Sequence, residues 1–113
     1  MELSNVNKDR QRKRKSAVEL GTMVYGKVPP QAKELEEAVL GAIMLERGAF
    51  DIVVEILKPV CFYVEAHQRI FASMQSLANK SQPIDILTVA EELRTKEELD
   101  LVGGAYYLTR LTN

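Results

Sequence analysis

From Pro30 onward, apolar side chains recur at helical spacing between short polar breaks. Leu35, Ala38, Val39, Ala42 and Ile43 stand at i, i+3, i+4, i+7 and i+8, the stripe of an amphipathic helix. Pro29-Pro30 opens it, because proline is accommodated in a first turn whose N–H would be unsatisfied anyway. Glu34, Glu36 and Glu37 lie early, where carboxylates suit the positive end of the helix dipole. A shorter helix is predicted over Phe50 to Leu57, with Phe50, Val53, Val54 and Leu57 on its stripe and Pro59 as its stop. A third begins near Val64 to Ala66 and places Ile70, Phe71, Met74, Leu77 and Ala78 on one face. The turn Asn79-Lys80-Ser81-Gln82-Pro83 follows. Asp85 is positioned to cap a fourth helix by accepting from the N–H of Leu87 or Thr88. In that helix Ile86, Val89, Ala90 and Leu93 face inward, and Glu91, Glu92 and Arg94 outward. Gly103-Gly104 opens a last helix with Tyr107, Leu108 and Leu111 on one side. No segment sustains strand alternation, so the pattern predicts an all-α fold, a compact orthogonal bundle of five to six short helices.

Residues 1–27 break this pattern. Their apolar side chains have no period, and the run Lys8-Asp9-Arg10-Gln11-Arg12-Lys13-Arg14-Lys15 is strongly basic. Seven basic against three acidic groups give this stretch a net charge of +4. The remaining eight basic and thirteen acidic groups leave residues 28–113 at −5. Two such regions suit different partners. The stretch 1–27 reads as a disordered basic tail, with solvation favoured over nucleic-acid contact. Val24, Tyr25 and Val28 are candidates to tack its end onto the domain. The acidic part is a poor match for phosphates, so it is expected to bind DNA weakly or not at all. At 113 residues the chain holds one domain rather than two, and its pattern, still helical at Asn113, reads as a piece of something longer. No apolar run approaches the roughly 20 residues of a membrane span, no secretory signal is evident, and a cytoplasmic setting is expected.

Candidate chemistry is sparse. Neither G-x-x-x-x-G-K-[ST] nor G-x-G-x-x-G occurs, so no phosphate loop for a nucleotide is predicted. No cofactor, metal or catalytic group is expected. His67 is the single histidine, and Glu65, two residues away, does not share its helix face. A structural role near the start of the third helix is favoured. Cys61 is the single cysteine and reads as a buried, inert thiol. The pairs Glu36-Glu37, Glu91-Glu92 and Glu97-Glu98 read as solvated faces. Gly41, flanked by Ala38 and Ala42, is expected to let a neighbouring helix approach. Tyr106-Tyr107 cannot both be buried on one helix, so one is expected at the surface, where tyrosine favours binding hot spots.

The spelling of four blocks adds a resemblance. Val28-Pro29-Pro30-Gln31 with Glu34-Leu35-Glu36-Glu37-Ala38-Val39-Leu40-Gly41, then Phe62-Tyr63 through His67 to Ile70-Phe71, then Pro83-Ile84-Asp85 with Thr88 and Leu93, then Val102-Gly103-Gly104-Ala105-Tyr106-Tyr107-Leu108 occur in one order across residues 28–113. Together they resemble the N-terminal domain of bacterial replicative DNA helicases of the DnaB family. Cys61 departs from the acidic residue expected before Phe62-Tyr63, and the basic tail is not covered. The resemblance implies a non-catalytic interaction domain that supports ring assembly and recruits primase, while the ATP-driven motor belongs to a C-terminal domain absent from this sequence. It implies self-association (a dimer as a fragment, a hexamer in the parent), binding of the primase C-terminal domain, and a helicase loader as a further candidate partner. Glu34 and Tyr107 are the expected interface residues; Gly41, His67 and Asp85 the expected structural ones. Weighed against this are the helicase-binding domain of a primase, which the Phe62-Tyr63 to His67 block disfavours, and a helix-turn-helix DNA-binding domain, which lacks a basic recognition helix. A small hydrolase would need a nucleophile–base pair, and none is visible.

Overall fold

The computed structural model describes residues 30–113; the basic run Lys8–Lys15 and the anchoring expected of Val24, Tyr25 and Val28 lie outside the described residues. Five α-helices and no strands occur among the described residues: α1 (Pro30–Leu45), α2 (Ala49–Val53), α3 (Glu65–Asn79), α4 (Ile86–Thr95) and α5 (Gly104–Leu111), with a 3-10 turn at Pro59–Cys61. The second helix is shorter than its apolar stripe suggests. Regular structure ends at Val53, and turns carry the chain to Leu57, whose N–H donates to the Val53 carbonyl at 2.8 Å. No helix among the described residues is long and apolar enough to cross a membrane.

Helix α3 runs through the core. It buries His67, Ile70, Phe71, Ser73, Met74 and Leu77. Phe71 sits between Phe50 and Phe62, with ring centroids 5.5 and 5.2 Å away, distances at which tilted aromatic pairs attract beyond simple area burial. Leu40, Ile43 and Met44 from α1, Val89 and Leu93 from α4, and Leu108 and Leu111 from α5 close the core around it.

The phase of α1 differs from the one its apolar residues suggest. Its buried positions are Glu36, Leu40, Gly41, Ile43 and Met44, whereas Leu35 is 67% exposed and Ala38 and Ala42 are exposed too. The inward stripe is Glu36, Leu40, Ile43 and Met44, at i, i+4, i+7 and i+8. An ionisable residue occupies its first position, which shifts the apparent apolar stripe round the helix.

Two further corrections concern polar residues. Glu92, placed on the wet face of α4, is buried and accepts from Lys80 Nζ at 2.9 Å. Glu91 beside it is exposed, as i and i+1 on a helix diverge. Cys61 is exposed rather than buried, because it closes the 3-10 turn while the next residue, Phe62, takes the core position.

Close approach governs one helix pair. A Cβ built on Gly41 would lie 1.9 Å from the carbonyl oxygen of Leu111 and 2.9 Å from its carbon. Backbone cannot rotate aside as a flexible side chain can, so α5 ends against α1 at the one α1 position that lacks a side chain. At α4, Asp85 accepts from the Thr88 N–H while Thr88 Oγ1 accepts from the Asp85 N–H, both at 2.9 Å. The two residues form a reciprocal cap that satisfies donors the helix cannot.

Two substitutions test these points. Gly41→Ala is expected to destabilise the domain by about 1–3 kcal/mol, the usual cost of overpacking, although alanine is favoured over glycine in a helix by about 1 kcal/mol. A denaturant midpoint equal to the parent's would contradict the contact with Leu111. Asp85→Ala should lower stability by about 1 kcal/mol through loss of the cap, read in the same measurement.

Candidate functional site

The densest polar cluster joins α1, α3 and α5. Glu36, only 7% exposed, points its carboxylate at the start of α3. Its Oε2 accepts from the Tyr63 N–H at 2.6 Å and its Oε1 from the Val64 N–H at 3.3 Å, and Oε1 lies 2.8 Å from His67 Nδ1. Val64 is the N-cap of α3 and has no side-chain cap of its own, so a carboxylate 28 residues upstream serves this helix start. It also lies at the positive end of the helix dipole.

His67, fully buried, continues the chain of contacts. Its Nε2 lies 2.6 Å from Tyr107 Oη, and that hydroxyl donates to Glu37 Oε2 at 2.7 Å. The imidazole and phenol rings are nearly parallel, 6° apart in plane with centroids separated by 6.0 Å. Tyr107 is held from the other side by Gly103, the N-cap of α5, where φ is +110°. A Cβ there would meet Tyr107 Cβ at 2.9 Å, so Gly103 serves both a left-handed backbone and a close contact. Burial, then the hydrogen bond and negative charge of Glu37, raise the phenol well above the ordinary tyrosine range.

Of the residues singled out in the sequence, His67 and Tyr107 are thus in direct contact, and Glu34 stands exposed one turn before Glu37 on α1. Gly41 lies against the end of α5, and Asp85 caps α4 away from the quartet. The sequence pattern predicts Glu36 and Glu37 on a solvated face, yet Glu36 is buried and Glu37 half-buried. They supply the partners that no residue near His67 in sequence can supply. The available signal was the stripe Glu36, Leu40, Ile43 and Met44, which fits helical spacing as well as the stripe beginning at Leu35.

Carboxylate, imidazole and hydroxyl in line resemble the parts of a nucleophilic site. The arrangement works against that use. The ring is enclosed, and the hydroxyl is committed to a second carboxylate. The nearby hollow, of about 180 Å³, is lined by Glu37, Ala38, Arg110, Leu111 and Asn113, not by His67. No group of three or more metal-ligating side chains occurs among the described residues. The quartet acts as a cross-brace between three helices. At the surface beside it, α5 presents Tyr106, 76% exposed, and α1 presents Leu35 and Glu34.

The phenol provides a direct check. Tyr107 should ionise above the ordinary phenol range in an absorbance titration, and Tyr107→Phe should remove that late step. The sign for stability follows from the raised value. The contribution is complete below the ordinary phenol pKa of about 10 and is lost as pH climbs through the higher folded value. A parent protein with no such late step would contradict the hydrogen bond from Tyr107 to Glu37.

Comparison with known proteins places this geometry. The DnaB-like helicase N terminal domain family matches residues 28–113. The replicative DNA helicase DnaB of Rhodothermus marinus is 49% identical over 87 residues, which are 77% of this chain and 9% of that protein. The replicative DNA helicase DnaB of Geobacillus stearothermophilus is 44% identical over 87 residues, 77% of this chain and 19% of that protein. The match therefore spans only a fifth or less of these helicases' own length. Among solved structures, the crystal structure of the N-terminal domain of DnaB helicase from Mycobacterium tuberculosis superposes with a TM-score of 0.66 at 39% identity, covering 68% of this chain and 56% of that one. The chain belongs to the DnaB-like helicase N-terminal domain family.

Proposed function

We propose that this domain is a non-catalytic interaction module of a cytoplasmic replicative DNA helicase, one that supports assembly of the helicase ring and recruits primase during DNA replication. The observation that carries the reading is family membership over residues 28–113, within a match confined to a small part of helicases several times longer. The physical character of the domain agrees with it. Its polar cluster braces helices, its surface carries an exposed tyrosine and leucine, and its net charge of −5 over residues 28–113 disfavours nucleic-acid backbone. Self-association and the primase C-terminal domain are the partners assigned, with a helicase loader as a further candidate. We assign Glu34 and Tyr107 to the partner face. Glu34 offers a charged rim, and Tyr107 a half-buried ring whose hydroxyl is bonded to Glu37. A ring presents several copies of this face, so a modest affinity per domain is amplified by avidity.

The test is titration calorimetry of the chain against the primase C-terminal domain. Glu34→Ala is expected to weaken binding several-fold, and Tyr107→Ala by tenfold or more, about 1.4 kcal/mol. Tyr106→Ala leaves the quartet intact and reports the share of binding carried by the exposed ring on the same helix. Unchanged affinity in both Glu34→Ala and a folded Tyr107→Ala overturns the residue assignment. A full-length helicase that recruits primase equally well without its N-terminal domains overturns the function.

A further inference from the structure

The three contacts along Glu36, His67, Tyr107 and Glu37 measure 2.8, 2.6 and 2.7 Å. Each is a hydrogen bond and each needs its own proton. With both carboxylates ionised and the imidazole neutral, the quartet has only two, one on the ring and one on the phenol. If Nδ1–H donates to Glu36, the phenol proton can serve Nε2 or Glu37 but not both. If the ring proton is on Nε2 instead, Nδ1 turns a lone pair toward Glu36. Every way of filling all three contacts requires a third proton, on the ring or on a carboxylate.

We infer that the quartet is a proton-linked latch: closing α5 onto α1 and α3 takes up one proton, and losing it leaves one of the three contacts that tie these helices together unfilled. The charged and titratable groups facing it are few. Glu36 and Glu37 come from α1, and Arg110 acts on Tyr107 from α5. On the α3 side, the Tyr63 and Val64 N–H groups already satisfy Glu36. Two negative carboxylates against one neighbouring cation favour the third proton. The phenol holds its own proton firmly, because burial and Glu37 disfavour phenolate. The remaining donors and acceptors must therefore adjust around a fixed O–H. The four groups share the proton along one continuous chain of contacts. The stabilisation is complete at mildly acidic pH, where an ordinary imidazole is already protonated in the unfolded chain. It fades as pH rises through the point at which the closed quartet gives up its third proton. The α5 surface bearing Tyr106 is tethered through this latch, whichever partner docks there.

One substitution separates a latch from an ordinary buried cluster. In Glu37→Gln the amide N–H donates to Tyr107 Oη, the phenol proton turns to Nε2, and Nδ1–H serves Glu36. All three contacts are then filled without proton uptake. The folding equilibrium of the parent and of Glu37→Gln is to be compared from about pH 6 to about pH 9. The parent's folding constant should fall more steeply, by up to about tenfold per pH unit for one proton, and Glu37→Gln should lack this added slope. Tyr107→Phe, which keeps the ring but leaves a single contact, should lack it too, and covers the case in which Glu37→Gln does not fold. Since His67 is the only histidine, its ring nitrogens can be read without assignment in an ¹⁵N spectrum, and carboxyl protonation in a ¹³C spectrum. A parent whose pH slope equals that of the variants, with a neutral ring and both carboxylates ionised, overturns the latch.

Discussion

The fold turns on one carboxylate placed where apolar side chains would ordinarily go. An ionised group in a protein interior costs several kcal/mol unless its lone pairs are met. Glu36 meets that condition with two backbone N–H groups and an imidazole, all at the entrance to α3. Satisfying it sets the rotation of α1. Once Glu36 faces inward, Leu40, Ile43 and Met44 must follow it into the core, and Leu35 must face out. The same rotation points Gly41 at the end of α5, where only a hydrogen fits beside the Leu111 carbonyl. Removing the carboxylate would leave the buried His67 Nδ1 and two backbone amides without their partner, so the loss would spread from one side chain to three helices.

This constraint also explains what was legible in the chain. Helices α3 and α4 follow apolar periodicity directly, because Ile70, Phe71, Met74 and Leu77, and Val89, Ala90 and Leu93, meet the core with aliphatic and aromatic surface. Asp85 could be identified because a cap is local: residue, helix start and spacing lie within four positions. The family could be identified for a different reason, since four spelled blocks in order carry more information than any periodicity. The Glu36–His67 contact joins residues 31 apart, and no local rule brings them together. A carboxylate counts as surface in any hydropathy pattern, so the pattern places the buried Glu36 and Glu92 outward with their neighbours Glu37 and Glu91. Cys61 failed by the opposite route. Its apolar neighbours suggested burial, but a 3-10 turn directs consecutive side chains apart, and Phe62 took the interior.

The tyrosine pair on α5 shows how the interior sets the surface. Consecutive residues on a helix point about a hundred degrees apart, so fixing Tyr107 by its hydroxyl leaves Tyr106 facing solvent. Gly103 reinforces this, since its left-handed backbone starts the helix where Tyr107 can pack against it. An exposed aromatic ring on a well-anchored helix loses little conformational entropy when a partner covers it, which is the circumstance that makes tyrosine effective at interfaces.

A purely aliphatic filling of the same volume would often be more stable than a buried polar chain, because desolvation offsets much of the hydrogen-bond gain. The quartet differs from such a filling in directionality. Apolar contacts between α1, α3 and α5 tolerate small slides and rotations, whereas three consecutive short hydrogen bonds tolerate few. A slide of α5 by one residue would remove Tyr107 from both His67 and Glu37 and drive a side chain of α1 into backbone in place of Gly41. The polar chain and the glycine contact therefore specify the same register from two points one turn apart on α5. Three directional bonds and one backbone contact thus hold the exposed face of α5 in a single orientation, which additional apolar stability would not by itself secure.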